Sequence, residues 1–218
     1  MSKKSLHRSD FAESIVNSLM MILFMLVFSI IGIVFIFANI GFLGDLLIGV
    51  AFMIPLMYIY FYTGGQEGKR EFKRLNGVSV EKALSGGVRV PNIFKGLIYV
   101  VPFAIITLVP AALAWGFNVQ WLKVALLMIY MPAAMIGKAC GLVTFRHEVK
   151  IPDDEGKVTN SVIVGETVGS NVFIVLAVFV LISCAVFWLS YALQIRKSRD
   201  SFNSFMSEIV ENDKLRNK

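Results

Sequence analysis

Apolar residues fall in five long runs separated by polar segments, and those runs organise the chain. Ile15–Phe37 is 23 residues without a charged side chain. Leu46–Thr63 follows a short turn, Ala38–Gly44, that holds Asn39 and two glycines. Leu97–Trp115 and Trp121–Phe145 form a second pair, and Asn171–Ile195 adds 25 uncharged residues free of Gly and Pro. A helix rises about 1.5 Å per residue, so runs of this length suit a hydrocarbon core of roughly 30 Å. The pattern predicts an all-α, polytopic helical integral membrane protein with about five transmembrane helices. The third run, carrying Pro102 and Pro110, is the candidate for a re-entrant hairpin.

The polar segments divide the chain into an N-terminal segment (1–14), a transmembrane domain (15–195) and a polar tail (196–218). Ser9-Asp10 followed by Glu13 reads as a helix start. Tyr58, Tyr60 and Tyr62 belong where bilayer meets water, which ends the second span near Thr63. Gly64–Lys95 is a basic connection with seven Lys and Arg against three Glu. Within it, Ser79–Leu84 has the makings of one or two helical turns, although a solvated loop is the simpler reading. The connection 146–170 is polar and built around Asp153-Asp154-Glu155-Gly156. In the tail, Phe202, Phe205, Met206, Ile209 and Val210 share one helical face behind Arg196, Lys197 and Arg199, as in a helix lying among lipid headgroups. A partner-binding helix is the competing use of that face.

Charge orients the runs. Five spans with a cytoplasmic N-terminus put thirteen basic residues inside and seven outside, six of the latter in the tail. A re-entrant third run brings the tail inside and changes the balance to seventeen against three. Cytoplasmic segments carry the excess of Lys and Arg, so the N-terminus and the 64–95 connection are cytoplasmic in both arrangements. The expected location is the cell membrane, multi-pass, with the lipid bilayer as first partner.

Composition agrees with the runs: 56% of the 218 residues are hydrophobic and 17% charged, with a mean hydropathy of +0.71. A net charge of +6 raises the question of nucleic acid. Here the basic residues flank apolar runs, so they anchor the chain at a membrane surface and no nucleic-acid partner is expected. Cys140 and Cys184 lie inside apolar runs and behave as small hydrophobes. Lys3, Lys4 and Arg8 before an apolar stretch imitate a signal peptide. The stretch is too long for that and lacks an A-x-A site, so it reads as a retained span.

Few residues offer chemistry. Lys138 is the charged residue set well inside an apolar run, with Asp45 and Glu166 as candidate counter-ions for a polar site within the bundle. Asp45 is expected near the opposite face, and a snorkelling Lys138 is the cheaper explanation. Ala133, Gly137 and Gly141 place a small residue every fourth position, a stripe that lets a second helix approach. Gly165 and Gly169, with Ser161 one step before, repeat the spacing. The run Gly64-Gly-Gln-Glu-Gly68-Lys69-Arg70 has the flavour of a phosphate loop but the wrong glycine spacing. Gly41-Phe-Leu-Gly44-Asp45 has no second intramembrane aspartate for a carboxylate pair. His147-Glu148 has no second histidine to complete a zinc helix. No catalytic constellation, metal site or cofactor motif emerges. The expectation is a non-catalytic membrane subunit of a transport or export assembly, meeting a cytoplasmic or membrane partner subunit through residues 64–95 and the small-residue stripe. A regulator, immunity factor or scaffold without transport activity is the alternative, and a membrane enzyme a distant third.

Overall fold

A computed structural model describes residues 3–37, 40–76, 90–143, 148–152, 158–163 and 171–216. Seven helices and one β-hairpin occur among them. They are α1 (Lys3–Phe37), α2 (Phe42–Asn76), the single turn α3 (Lys95–Ile98), α4 (Val101–Gly116), α5 (Gln120–Ile129), α6 (Met131–Ala139), β1 (Glu148–Pro152), β2 (Val158–Ile163) and α7 (Val172–Arg216). The all-α expectation holds for the apolar runs. The 146–170 connection departs from it, because β1 and β2 pair antiparallel with Glu148 opposite Ile163. Ser79–Leu84, Gly165, Glu166 and Gly169 lie outside the described residues.

Among the described residues three helices are long and apolar enough to cross a membrane: Ala12–Phe35 of α1, all of α2, and Val172–Ile209 of α7. Each is longer than its apolar run. α1 already begins at Lys3, ahead of Ser9 and Asp10. α2 continues through Pro55 and past Thr63 to Asn76, so the first part of the basic connection is helix. The amphipathic tail is likewise the far end of α7, an unbroken helix of 45 residues, and not a separate element. The third run ends the single turn α3 with Leu97 and Ile98 and then forms α4, a helix of 16 residues that passes through Pro110 and is shorter than the three long helices.

The fourth run is broken. α5 and α6 meet at Tyr130 with a bend of 106°. Pro132 is the local cause: its nitrogen has no hydrogen to donate to the preceding turn, and its ring crowds that turn. The helix restarts with the proline in its first turn, where a missing N–H costs nothing.

Contacts divide the chain into two compact units, the first made of 1–17, 58–101 and 183–218, the second of 18–57 and 102–182. In the second, the bend is held by α1. Ser29 Oγ donates to the Ile129 carbonyl at 2.5 Å and accepts the Met131 N–H at 3.4 Å. One hydroxyl thus serves the backbone on both sides of the break. Tyr130 adds a hydroxyl contact to Thr107 at 2.7 Å and a ring contact to Phe179. Ser18 Oγ accepts the Phe103 N–H at 3.0 Å near the start of α4, while Trp115 at its end stacks on Phe173 of α7.

The first unit is organised by glycines. A Cβ on Gly64 would strike the carbonyl oxygen of Phe187, and one on Gly68 would come within 2.6 Å of the Tyr191 carbonyl. Four residues along α2 therefore match four residues along α7 in the same sense, and the two helices run parallel. Five simple crossings would make them antiparallel, with two spans between. Close packing at four-residue glycine spacing thus also occurs here, in a stretch whose Gly, Gln and Glu content reads as a loop.

Candidate functional site

The first unit buries two carboxylates one helical turn apart on α2. Glu71 is the hub: its oxygens take Lys95 Nζ at 2.8 Å, Arg74 at 2.8 Å and the Tyr99 hydroxyl at 3.4 Å. Its side chain is 5% exposed, so all three contacts act where water screens little. Glu67 is as deeply buried, and Arg70 reaches it at 2.6 Å from an exposed position. Arg74 also approaches Glu13 of α1 at 3.9 Å. The Tyr99 ring lies 6.0 Å from that of Tyr191, and the Trp188 indole donates to the Ile93 carbonyl at 3.2 Å. α3 and the residues beside it are thereby fastened to α2 and α7. Glu67–Arg70 and Glu71–Arg74 are i, i+3 pairs and visible in the sequence. The burial of Glu71 is not, because its partners Lys95 and Tyr99 lie more than twenty residues further on.

The second unit brings Lys138 and Asp45 together. Lys138 Nζ lies 3.2 Å from Asp45 Oδ1, with the side chains 16% and 6% exposed. Asp45 is therefore not at the opposite face: the bend at Tyr130 turns α6 back toward the first turn of α2. The aspartate also sits where the helix dipole favours an anion. Burial of both partners makes the pair a question of balance. Removing one partner alone is expected to destabilise the protein by about 3 kcal/mol, because the other is left buried and charged. The double variant Asp45→Leu/Lys138→Leu should unfold closer to wild type than either single variant in detergent thermal melts. Additive losses would mean the pair is not coupled.

The proposed stripe divides. Ala133 and Gly137 are buried on α6, and a Cβ on Gly137 would come within 3.0 Å of Val175 and 3.1 Å of Val143. Gly141 lies beyond the helix, at φ +70. Its N–H donates to the Lys138 carbonyl and that of Leu142 to the Gly137 carbonyl, the glycine-terminated helix end known as a Schellman motif. Ala133 and Gly137 also border an apolar cavity of about 220 Å³ with Met53, Val178 and Phe179. Lys123 is 3% exposed and donates to Asn118 Oδ1 at 2.6 Å.

Along the parallel faces of α2 and α7, the first unit opens two further grooves, of about 330 and 490 Å³. Among the described residues no group of three or more His, Cys, Asp or Glu is placed to hold a metal ion. Compared with known proteins, the chain matches no family model, no curated protein and no solved structure.

Proposed function

We propose that this chain is a non-catalytic membrane subunit of a transport or export assembly in the cell membrane, with four crossings (α1, α2, α4, α7) and α5–α6 as a re-entrant wedge. The observation that carries the reading is the bent α5–α6 pair. Ser29 at the bend is eleven residues from Ser18 along α1, roughly 16 Å, about half a hydrocarbon core. One arm begins just after Trp115, beside the start of α7, and the other ends at Asp45, beside the start of α2. Elements that enter the bilayer and return on the same side are characteristic of proteins that build passages through it.

Parallel α2 and α7 favour a single crossing between them, which leaves the tail on the side of the N-terminus. Sixteen of the twenty-one Lys and Arg then lie on that side, the balance expected of the cytoplasm. Only 17% of the most apolar stretch of α2 is buried within the chain, and 28% of that of α1. Broad lateral faces are left for lipid or for a second subunit, which favours a component over a free-standing carrier. The ion-paired first unit also suits the alternative, a regulatory protein acting at the cytoplasmic surface.

The test has two parts. With Cys140 and Cys184 replaced by alanine, Asp154→Cys should react with an impermeant thiol reagent in intact cells and Ser204→Cys should not. A reactive Ser204→Cys would end the four-crossing arrangement. After purification in mild detergent, a stoichiometric ATPase or channel-forming partner is expected. A lone monomer that supports no solute flux in liposomes would refute the subunit reading and favour the regulator.

A further inference from the structure

The grooves between α2 and α7 carry a pattern that the assembly reading does not use. Tyr62 and Tyr58 are 58% and 68% exposed on one face of α2, as residues of the bilayer interface are. Seven residues beyond Tyr62 on the same face stands Lys69, and Lys73 follows one turn later. Seven residues amount to roughly 10 Å along the helix, the distance from the edge of the hydrocarbon into the headgroup layer.

Across the groove, α7 presents Ser190, Gln194 and Lys197 at the spacing of one helical face. Gly65 lies opposite Ser190, and a Cβ there would come within 3.0 Å of the Ser190 hydroxyl. The missing side chain keeps the floor open. Lys69, Gln194 and Lys197 line both grooves, so the two are continuous. Phe72, Phe202 and Phe205 wall the wider end, and among the described residues no carboxylate borders either groove. Three lysines, a hydroxyl and an amide thus line a continuous space with an aromatic border and, among the described residues, no fixed anion of its own.

We infer that this groove binds the phosphate headgroup of an anionic phospholipid, with Lys69, Lys73 and Lys197 on the phosphate and Ser190 and Gln194 on its remaining oxygens. The exposed Tyr58, Phe61 and Tyr62 edge offers the acyl chains a path back to the bilayer. A phosphate also reaches the cytoplasm on soluble metabolites, but that apolar edge has a use only for a lipid. The inference rests on the membrane-spanning reading of α2 and α7 and not on membership of an assembly.

Basic residues near a membrane surface each strengthen binding of anionic lipid roughly fivefold, so loss of all three lysines should weaken it on the order of 100-fold. The full chain, purified in a neutral detergent, is titrated with phosphatidylglycerol or phosphatidylcholine, and bound lipid is read by native mass spectrometry and thermal shift. Wild type should retain phosphatidylglycerol selectively. Lys69→Gln/Lys73→Gln/Lys197→Gln should lose that selectivity while melting unchanged without lipid. These lysines are exposed, so the fold does not depend on them. Arg196→Gln/Arg199→Gln removes nearby charge outside the groove and should bind as wild type does. Equal loss in both variants would mean diffuse surface attraction and overturn the site. So would equal retention of phosphatidylcholine, or stabilisation by inorganic phosphate as large as that by lipid. An unchanged lipid response in the triple variant, with loss of an acidic partner protein instead, would assign the groove to that partner and refute the lipid.

Discussion

Gly68→Leu is expected to be among the most damaging single substitutions in this protein. The clash is with backbone: a Cβ at this position would lie 2.6 Å from the Tyr191 carbonyl oxygen and 3.3 Å from Gln194 Cβ. A carbonyl on a helix cannot rotate away, so α2 and α7 would have to separate along their shared face. Overpacking of this kind costs about 1–3 kcal/mol where side chains can yield, and the upper end or beyond is expected where they cannot. The measurement is a thermal melt of the detergent-solubilised protein, with aggregation on extraction as the extreme outcome. Gly64→Leu should behave alike, since its obstacle is the Phe187 carbonyl. Gly116→Ala is the control. Nothing lies within 4 Å of its Cβ position, and alanine favours helix over glycine by about 1 kcal/mol. That variant should melt at or slightly above wild type.

Glu71→Ala is expected to cost about 3–5 kcal/mol, the range for breaking a buried ion pair from one side. The loss comes from what remains, because Lys95, 17% exposed, would keep its charge without the carboxylate that offsets its burial. Glu71→Ala/Lys95→Met should therefore recover part of the stability lost in Glu71→Ala, a response that a simple packing defect would not give. Glu67→Gln is expected to cost far less. Its partner Arg70 is 73% exposed and loses little by returning to water. Similar losses in Glu67→Gln and Glu71→Ala would show that the hub role of Glu71 is mistaken.

What could be read from the chain beforehand followed from two strong, local signals. Long uncharged runs locate membrane helices because water is absent from the bilayer core and every backbone group must be satisfied within a helix. The 3.6-residue period in the tail marked a helix, although it could not show that α7 would run into it without a break. The misreadings share a cause in long-range packing. Gly64, Gly65 and Gly68 discourage a helix by propensity, yet α7 stabilises one there because the glycines admit its backbone. Pro110 and Pro132 look alike in sequence. The first is carried within a helix and the second stands at a break, with Ser29 of α1 supplying the broken backbone. Gly141 looked like the third step of a stripe, whereas its place after Lys138 at the end of an apolar run is equally a helix stop.

The Ser29 bridge also bears on the order in which this protein is made. A kinked segment left to itself in lipid exposes an unsatisfied carbonyl and amide, each costly, so it has every reason to wait outside the bilayer. Its remedy is a hydroxyl on a helix that leaves the ribosome about one hundred residues earlier. The surface that receives the kink is therefore made before the kink itself, a template on hand that a straight span does not need.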